Sequence, residues 1–178
     1  MGRTPARLVG SYWGSGRKWL SIADLKGKVI VESKEEITDA GAEGMEPIPE
    51  GTLLMSFKLT IGRLAFAGCE LYTNEAICAL RSPQVDSELL YYALSRVDFS
   101  LFGKQAVKGY TLNKESLHNV EVPLPPEPEE QRAIAQVLAS VDNEIIALES
   151  RLTKARALKQ AMAQALLTGR IRLVEPTA

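Results

Sequence analysis

Asp24, Glu32 and Lys34 form the pattern that comes nearest to a catalytic motif in this sequence. Two carboxylates followed by a lysine form a loose metal-nuclease pattern, in which the carboxylates would hold Mg²⁺ and the lysine would stabilise developing negative charge. The pattern is weak, because an acid two residues before a lysine often occurs by chance. A solvated acidic face that continues into Glu35 and Glu36 explains it more simply, so catalysis here is the minor alternative.

Stronger signatures of catalysis or metal binding are missing from the sequence. It contains no GxxxxGK[ST] phosphate loop, no GxGxxG motif and no GxSxG nucleophile elbow. With His118 as its one histidine, the chain cannot supply a two-histidine metal site. Cys69 and Cys78 do not have the spacing of a zinc finger. We therefore assign no catalytic residue and no metal site.

Basic and aromatic residues share three segments bounded by glycines, 12–19, 56–63 and 103–111, which we predict to be loops. The candidate DNA contacts in them are Arg17, Lys18, Lys58, Thr60, Lys104, Lys108 and Tyr110. Lysine and arginine suit phosphate oxygens, whereas threonine and tyrosine can reach base edges. Alone, these loops indicate nucleic acid only weakly, because surface loops carry lysines anyway. We expect Trp13 and Trp19 to be core residues rather than platforms for base stacking.

Composition limits the class of protein. The chain has 178 residues, of which 46% are hydrophobic and 24% are charged, as in folded globular proteins. A net charge of -1 excludes a polyanion-coating protein of the histone kind, but it does not exclude local basic patches. No run of about 18 apolar residues is present, and the first residues lack the apolar core of a signal peptide. We therefore expect a cytoplasmic protein that does not enter a membrane.

Residues 1–122 predict a globular domain of the α+β class, with a mixed β-sheet and intermixed short helices. Apolar runs punctuated by glycines predict strands over 29–31, 52–57, 63–67 and 76–81. Asp86 is the predicted N-cap of a helix, and a second short helix is predicted over 113–118. The apolar residues at helical spacing behind Asp86 are Leu89, Leu90, Ala93, Leu94 and Val97. A proline-rich linker over 123–128 follows, then one long helix over 129–168 and a tail over 169–178.

The long helix has the clearest pattern in the sequence. Apolar residues recur at heptad spacing over more than four heptads, which is typical of a coiled coil. The seam consists of Ile134, Leu138, Val141, Ile145, Leu148, Leu152, Ala155, Met162 and Leu166, with Lys159 as its polar position. About 40 residues give a rod of roughly 60 Å, which the preceding domain cannot cover. The seam therefore predicts a partner helix, from another copy or another protein. Additional apolar residues favour a second docking surface, namely Val137, Ile146, Leu158 and Leu167.

Charge along the helix predicts an antiparallel partner. Residues 127–149 contain six acids and one base, a sum of -5, whereas residues 150–172 contain six bases and no acid, a sum of +6. An identical antiparallel helix would set the acidic half against the basic half. Each exposed pair contributes only a few tenths of a kcal/mol, but about six pairs on each side would bias the orientation. Complementing the helix dipole is the alternative role of this gradient, and it explains the ends of the helix but not the middle.

Several long segments resemble the DNA specificity subunit of Type I restriction–modification systems. Residues 122–173, from VPLPPEPEEQRAIAQVLASVDNEII to LLTGRIRL, are similar to the C-terminal conserved region of that family. The opening GRTP with YWGSGRKWLSIADL, residues 51–80 and residues 109–126 resemble the beginning, middle and end of its target recognition domain. A full subunit has two recognition domains and two long helices, whereas this chain has one of each. The chain is therefore identified as a half-length member of the family.

The resemblance implies a non-catalytic role. In the family, two antiparallel helices hold two recognition domains apart, and each domain reads a short block of a bipartite site in double-stranded DNA. The subunit docks methyltransferase subunits, and the restriction subunit joins that core. S-adenosylmethionine, ATP and Mg²⁺ belong to those partners, so this chain needs no cofactor. We expect a homodimer through the long helix. The alternatives are a stand-alone Mg²⁺-dependent nuclease and a coiled-coil adaptor that binds proteins only.

Overall fold

A computed structural model describes residues 2–102, 104–106, 109–112, 116–117 and 119–174, and shows an α+β fold as predicted. The strands are β1 (Trp13–Leu20), β2 (Val29–Ile30), β3 (Glu35–Ile37), β4 (Leu53–Ser56), β5 (Lys58–Leu59), β6 (Leu64–Ala67), β7 (Tyr72–Thr73), β8 (Ile77–Leu80), β9 (Lys104–Ala106) and β10 (Gly109–Thr111). The helices are α1 (Asp39–Ala42), α2 (Ser87–Ser95) and α3 (Pro128–Leu167). Short 3-10 turns occupy Gly10–Tyr12, Ile22–Asp24 and Phe99–Leu101.

The chain forms two compact units, residues 1–135 and 136–178. The first unit contains the strands and the first two turns of α3, and the second contains the remainder of α3 with the residues that follow it. The predicted division at the proline-rich linker, 123–128, stays a prediction. None of the helices in the described part of the chain is both long enough and apolar enough to cross a membrane.

Four strands form the central sheet of the first unit, in the order β2, β6, β4, β8. Strand β4 pairs antiparallel with β6 and β8, and β2 runs parallel to β6. Leu54 belongs to an apolar cluster that includes Leu20, whereas its neighbours Leu53 and Met55 belong to a second cluster. Successive residues of a strand point to opposite faces, so the sheet is covered on both sides. This explains why residues 52–57 read as a continuous apolar run.

Helix α2 covers the second of these clusters. Asp86 is its N-cap, as predicted, and accepts a hydrogen bond from the backbone N–H of Leu89 at 3.0 Å. Leu94 is buried among Leu53 and Met55. The helix ends at Ser95, so the prediction that placed Val97 on it is wrong. Val97 nevertheless packs against the same cluster.

The segment 12–19, predicted to be a loop, lies in strand β1 from Trp13 onwards. It pairs antiparallel with β3 and parallel with β7, and its end, Trp19 and Leu20, is buried. The glycines that suggested a loop lie at an irregularity of the ladder, because both Trp13 and Arg17 pair with the same residue of β3. Glycine inside a strand commonly marks such a bulge.

The segments 56–63 and 103–111, also predicted to be loops, contain strands β5, β9 and β10, whereas the predicted strands agree with the structure within one or two residues. Strands β2, β4, β6 and β8 confirm the four predicted apolar runs. Of the predicted short helix over 113–118, residues 113–115 and 118 lie outside the described residues, and 116–117 are helical. Helix α3 ends at Leu167, and Gly169 follows with a left-handed φ of 72°, as the stop signal predicted.

Gln131 attaches the first turns of α3 to the first unit. Its side chain is 4% exposed. Its Oε1 atom accepts a hydrogen bond from the backbone N–H of Asp86 at 2.8 Å, and its Nε2 atom donates to the carbonyl oxygen of Pro125 at 2.8 Å. Ala135, one turn further along the helix, is also buried. One amide side chain therefore joins the start of α2, the proline linker and the start of α3.

Replacing Gln131 with alanine should lower the free energy of unfolding by about 1–3 kcal/mol, because two partly buried backbone groups lose their partner. Urea unfolding followed by the fluorescence of Trp13 and Trp19 would measure this loss. Gln136→Ala is the matched control, since Gln136 is exposed on the same helix, and it should change stability by less than about 0.5 kcal/mol. Equal losses in the two variants would show that Gln131 has no special role.

Candidate nucleic-acid interface

A small sheet brings together two of the three predicted DNA-contact segments. Its strand order is β5, β10, β9, and both pairings are antiparallel. Thr111 pairs with Lys58 on one side and with Lys104 on the other, so these three residues form one row across the sheet. Tyr110 lies in the next row, opposite Leu59. The backbone register therefore brings positions 58 and 104 to either side of position 111.

Buried Ser56 holds the turn that carries Lys58 and Thr60. Its hydroxyl donates to the carbonyl oxygen of Thr60 at 2.5 Å and accepts from the backbone N–H of Arg63 at 3.0 Å. Its backbone N–H donates to the carbonyl oxygen of Arg63, and its own carbonyl oxygen accepts from Gly62, both at 2.9 Å. Thr60 is exposed on this turn. Because backbone and hydroxyl bonds close the turn, the side chains at its tip are available for other contacts.

Phe57 and Leu112 anchor the small sheet to the core. The backbone N–H of Leu112 donates to the carbonyl oxygen of Phe57 at 2.8 Å, and the N–H of Phe57 donates to Ala76 at 3.0 Å. Both side chains are buried in the same apolar cluster. The sheet that carries Lys58 and Lys104 is therefore an extension of the packed core. Lys108, the remaining lysine of the predicted set, lies outside the described residues.

Arg63 is a cation of this region that the sequence analysis did not select. It is exposed at the end of the turn, and it lines a surface groove of about 400 Å³ together with Leu59, Thr60 and Asn74. Its Nη1 atom lies 3.5 Å from the carbonyl oxygen of Ile22. The sequence pointed to Arg63 only through its position in the basic segment 56–63. The fold shows in addition that Arg63 shares a groove with Thr60.

Arg17 and Lys18, the predicted contacts on β1, are held by carboxylates. Lys18 Nζ lies 2.7 Å from Glu36 and 2.9 Å from Glu32, and these hydrogen bonds raise the pKa of Lys18. Arg17 Nε lies 2.6 Å from Asp39, which raises the pKa of Arg17. The charges of both residues are therefore balanced locally, although their outer surfaces remain exposed.

The small sheet differs from β1 in this respect. In the described part of the chain, the ion pairs engage Arg7, Arg17, Lys18, Lys28 and Arg81. Neither Lys58 nor Arg63 is among them. No ion pair among the described residues has to break for Lys58 or Arg63 to turn to a phosphate, so these two residues are better placed than Arg17 and Lys18 for such contacts.

The two tryptophans are structural, as the sequence predicted. Trp19 is 1% exposed, and its indole N–H donates to the carbonyl oxygen of Arg3 at 3.0 Å. Trp13 packs edge-on against it at a centroid distance of 5.0 Å. The guanidinium of Arg7 lies 3.8 Å above the Trp13 ring. This cation–π stack covers the ring face that a nucleobase would need.

The residues of the loose nuclease pattern have structural partners. Asp24 Oδ2 accepts from the backbone N–H of Ser21 at 2.8 Å and from its hydroxyl at 2.7 Å. The other oxygen of Asp24 accepts from the N–H of Lys34 at 3.0 Å, while Glu32 pairs with Lys18. No cluster of three metal-ligating side chains occurs among the residues that the structure describes. These contacts give the nuclease alternative no support.

The apolar seam of α3 is exposed in the isolated chain. The seam residues Leu138, Val141, Ile145, Leu148, Leu152 and Met162 are between 37% and 53% exposed. The additional apolar residues Val137, Ile146 and Leu158 are exposed by 61–63%. A continuous apolar surface of this length marks an interaction site.

A comparison with known protein families identifies the family of this chain. The family described as "Type I restriction modification DNA specificity domain" matches residues 2–156. The chain belongs to this family. The specificity domain is 32% identical over 151 residues to the Type I restriction enzyme MjaIX specificity subunit of Methanocaldococcus jannaschii, covering 80% of this chain and 35% of that protein. It is 27% identical over 135 residues to the putative MjaX specificity subunit of the same organism, covering 72% of this chain and 31% of that protein.

Solved structures share the fold of the specificity domain. A chain of a type I R-M system, from work on its complex assembly, matches with a TM-score of 0.72 and 23% identity, covering 93% of this chain and 40% of that one. The HsdS subunit from Thermoanaerobacter tengcongensis matches with a TM-score of 0.66 and 23% identity, covering 93% and 41% respectively. The present chain spans about a third of the length of the curated relatives it matches.

The Lys18–Glu36 pair predicts acid sensitivity. Hydrogen bonds from Lys18 and from the N–H of Gly16 lower the pKa of Glu36. The stabilisation is therefore fully present above the ordinary carboxyl pKa and is lost as the pH falls through the lower, folded value. Glu36→Gln should lower the Tm at about pH 6, and the difference from the parent chain should shrink towards about pH 3.

Thermal unfolding followed by circular dichroism across this pH range tests the prediction. Glu50→Gln is the control, because Glu50 is exposed and no ion pair in the described part of the chain engages it. That variant should follow the parent curve. A Glu36→Gln offset that stays constant at every pH would contradict the assignment.

Proposed function

We propose that this chain is a DNA specificity subunit of half length, which binds one block of a bipartite DNA target per copy and acts as an antiparallel homodimer. It carries out no catalysis, which falls to methyltransferase and restriction subunits that it recruits in the cytoplasm. Family membership supports the class of function. The observation that supports the dimer is the exposed apolar seam of α3. The acidic and basic halves of this helix complement those of a second copy only when the two helices are antiparallel.

The seam and the charge distribution point to one alignment. The sign of charge changes between Glu149 and Arg151, so position 150 is the natural centre of an antiparallel pair. About this centre, Leu148 faces Leu152 of the other copy and Ile145 faces Ala155. Every seam position then meets another seam position in the same layer. One recognition domain is expected at each end, and the two-fold symmetry predicts an interrupted palindrome as the target.

Docking of the methyltransferase subunit is expected on apolar residues of α3 that the seam does not use. Val137, Ile146 and Leu158 flank the seam and remain exposed. A pair of helices has more apolar surface than a two-stranded seam can bury, which favours further helices against it. Methylated adenines mapped in DNA after coexpression with the cognate methyltransferase would give the target. Absence of any sequence-specific methylation would favour the adaptor that binds proteins only.

Leu148→Lys should dissociate the dimer, because it places a charge at the centre of the seam. Two buried leucines are lost per dimer, about 1.5–3 kcal/mol each, which weakens association more than about 100-fold. Sedimentation at micromolar concentration should show a dimer for the parent chain and a monomer for the variant. Ala147→Lys is the control, since Ala147 is exposed beside the seam, and it should stay dimeric. A monomeric parent chain would refute the dimer.

The same dimer allows its orientation to be tested by disulfide formation. In the antiparallel alignment, a mixture of Ile145→Cys chains and Ala155→Cys chains should cross-link, whereas each variant alone should not. A parallel dimer would give cross-links in each single variant, because each position would face its own copy. Both cysteine variants are made in a chain that also has Cys69→Ser, because Cys69 is a half-buried free thiol that could cross-link by itself. Burial raises the pKa of the Cys78 thiol to about 11, so Cys78 stays unreactive.

Removing Lys58 and Lys104 together should weaken DNA binding and its dependence on salt. Each phosphate contact adds about 1 to the slope of log K against log salt concentration, so the double alanine variant should lose about 2. Titration of the full chain, with its methyltransferase, against a mixed-sequence duplex measures both quantities. Lys26→Ala with Lys34→Ala is the control, because both lysines are exposed and neither lies on the small sheet. Unchanged affinity and slope in the test variant would refute this interface.

A further inference from the structure

Leu59 has a backbone conformation that leucine rarely adopts. Its φ is 64°, and it is the one residue other than glycine with a positive φ in the described part of the chain. The left-handed region brings Cβ too close to the backbone and costs an L-residue roughly 1–2 kcal/mol. For a bulky residue it is a genuine outlier. Gly62, three residues later, adopts a similar φ of 79° without this strain.

The fold leaves more than half of the side chain that causes this strain exposed. Leu59 is 54% exposed, whereas Phe57 before it is buried and Ile61 after it packs against the same core cluster. The turn is closed by hydrogen bonds of Ser56 to Thr60 and to the residues at its end. A glycine at position 59 would satisfy every one of these contacts. Both the strain and the exposed apolar surface therefore require an explanation outside the fold.

The groove beside Leu59 combines apolar residues, Ile22 and Ala23, with polar and cationic ones. Leu59 lies between Lys58 and Thr60, and it forms one wall of the groove that also contains Arg63 and Asn74. On the small sheet it lies opposite Tyr110, one row from the lysine row. An exposed apolar group beside cationic and hydrogen-bonding side chains suits the major groove of DNA, where the C5 methyl of thymine is the apolar feature of the base edges.

We propose that Leu59 is a specificity-determining residue that contacts the C5 methyl group of a thymine in the target. The inference rests on the proposed DNA-binding function. In this arrangement Lys58 and Arg63 contact phosphates on either side, and Leu59 reads the base between them. The strained backbone turns the side chain outward, because the extended alternation that buries Phe57 is interrupted at this residue.

The test uses the full chain together with its cognate methyltransferase and a pool of duplexes with randomised positions. After selection, each thymine of the preferred duplex is replaced singly by deoxyuridine, which keeps base pairing and removes only the methyl group. One replacement should weaken binding by the parent chain about 4-fold, the value of one buried methyl group. Leu59→Gly should bind the methylated and unmethylated duplexes equally, with its salt dependence unchanged. Leu8→Gly, at a fully exposed leucine outside the groove, should behave as the parent chain.

Thermal unfolding distinguishes this role from a structural one. Leu59→Gly should keep or raise the Tm, because glycine removes the strain, and a lower Tm would overturn the proposal by showing that the fold needs the side chain. The proposal would also be overturned if the parent chain still selected a sequence but every deoxyuridine replacement changed binding by the parent chain and by Leu59→Gly to the same extent. Failure of the parent chain to select any sequence would refute the DNA-binding function, and this inference with it.

Discussion

The physical constraint on which this molecule depends is the apolar seam of α3, because it cannot remain in water at low free-energy cost. Six of its residues stay about half exposed in the isolated chain. Most of the stability of a long helix in water comes from burying such a face rather than from intrinsic propensity. We therefore expect the helix beyond Ala135 to pack against a partner. The division of charge near position 150 restricts the orientation that an identical partner would take.

The same helix has a different role at its start. Gln131 replaces solvent around the first turn with two protein hydrogen bonds, one to the residue that caps α2 and one to the proline linker. A buried amide with both groups satisfied fixes direction as well as position, since its donor and acceptor cannot be exchanged. Polar contacts thus set the beginning of the helix, while apolar contacts are left for association further along it.

Local sequence patterns predicted the elements whose formation depends on neighbouring residues. The heptad repeat predicted α3, Asp86 predicted the N-cap of α2, and mainly apolar runs predicted β4 and β6. Strand β1 was missed because its glycines lie at a bulge, and β3 because two of its three residues are glutamates. The small sheet could not be predicted, because the pairing of Lys58 with Thr111 joins segments about fifty residues apart. No local pattern records such a pairing.

The distribution of ion pairs then separates cations that the sequence presents as equivalent. Lys18 and Lys58 both lie in basic segments bounded by glycines, yet Lys18 has two carboxylates within 3 Å and Lys58 has a row of neighbours that includes Thr111 and Lys104. In a chain with a net charge of -1, an anionic ligand can be attracted only where cations lack such partners. The carboxylates around β1 therefore balance the charges of Arg17 and Lys18, whereas no ion pair among the described residues engages Lys58.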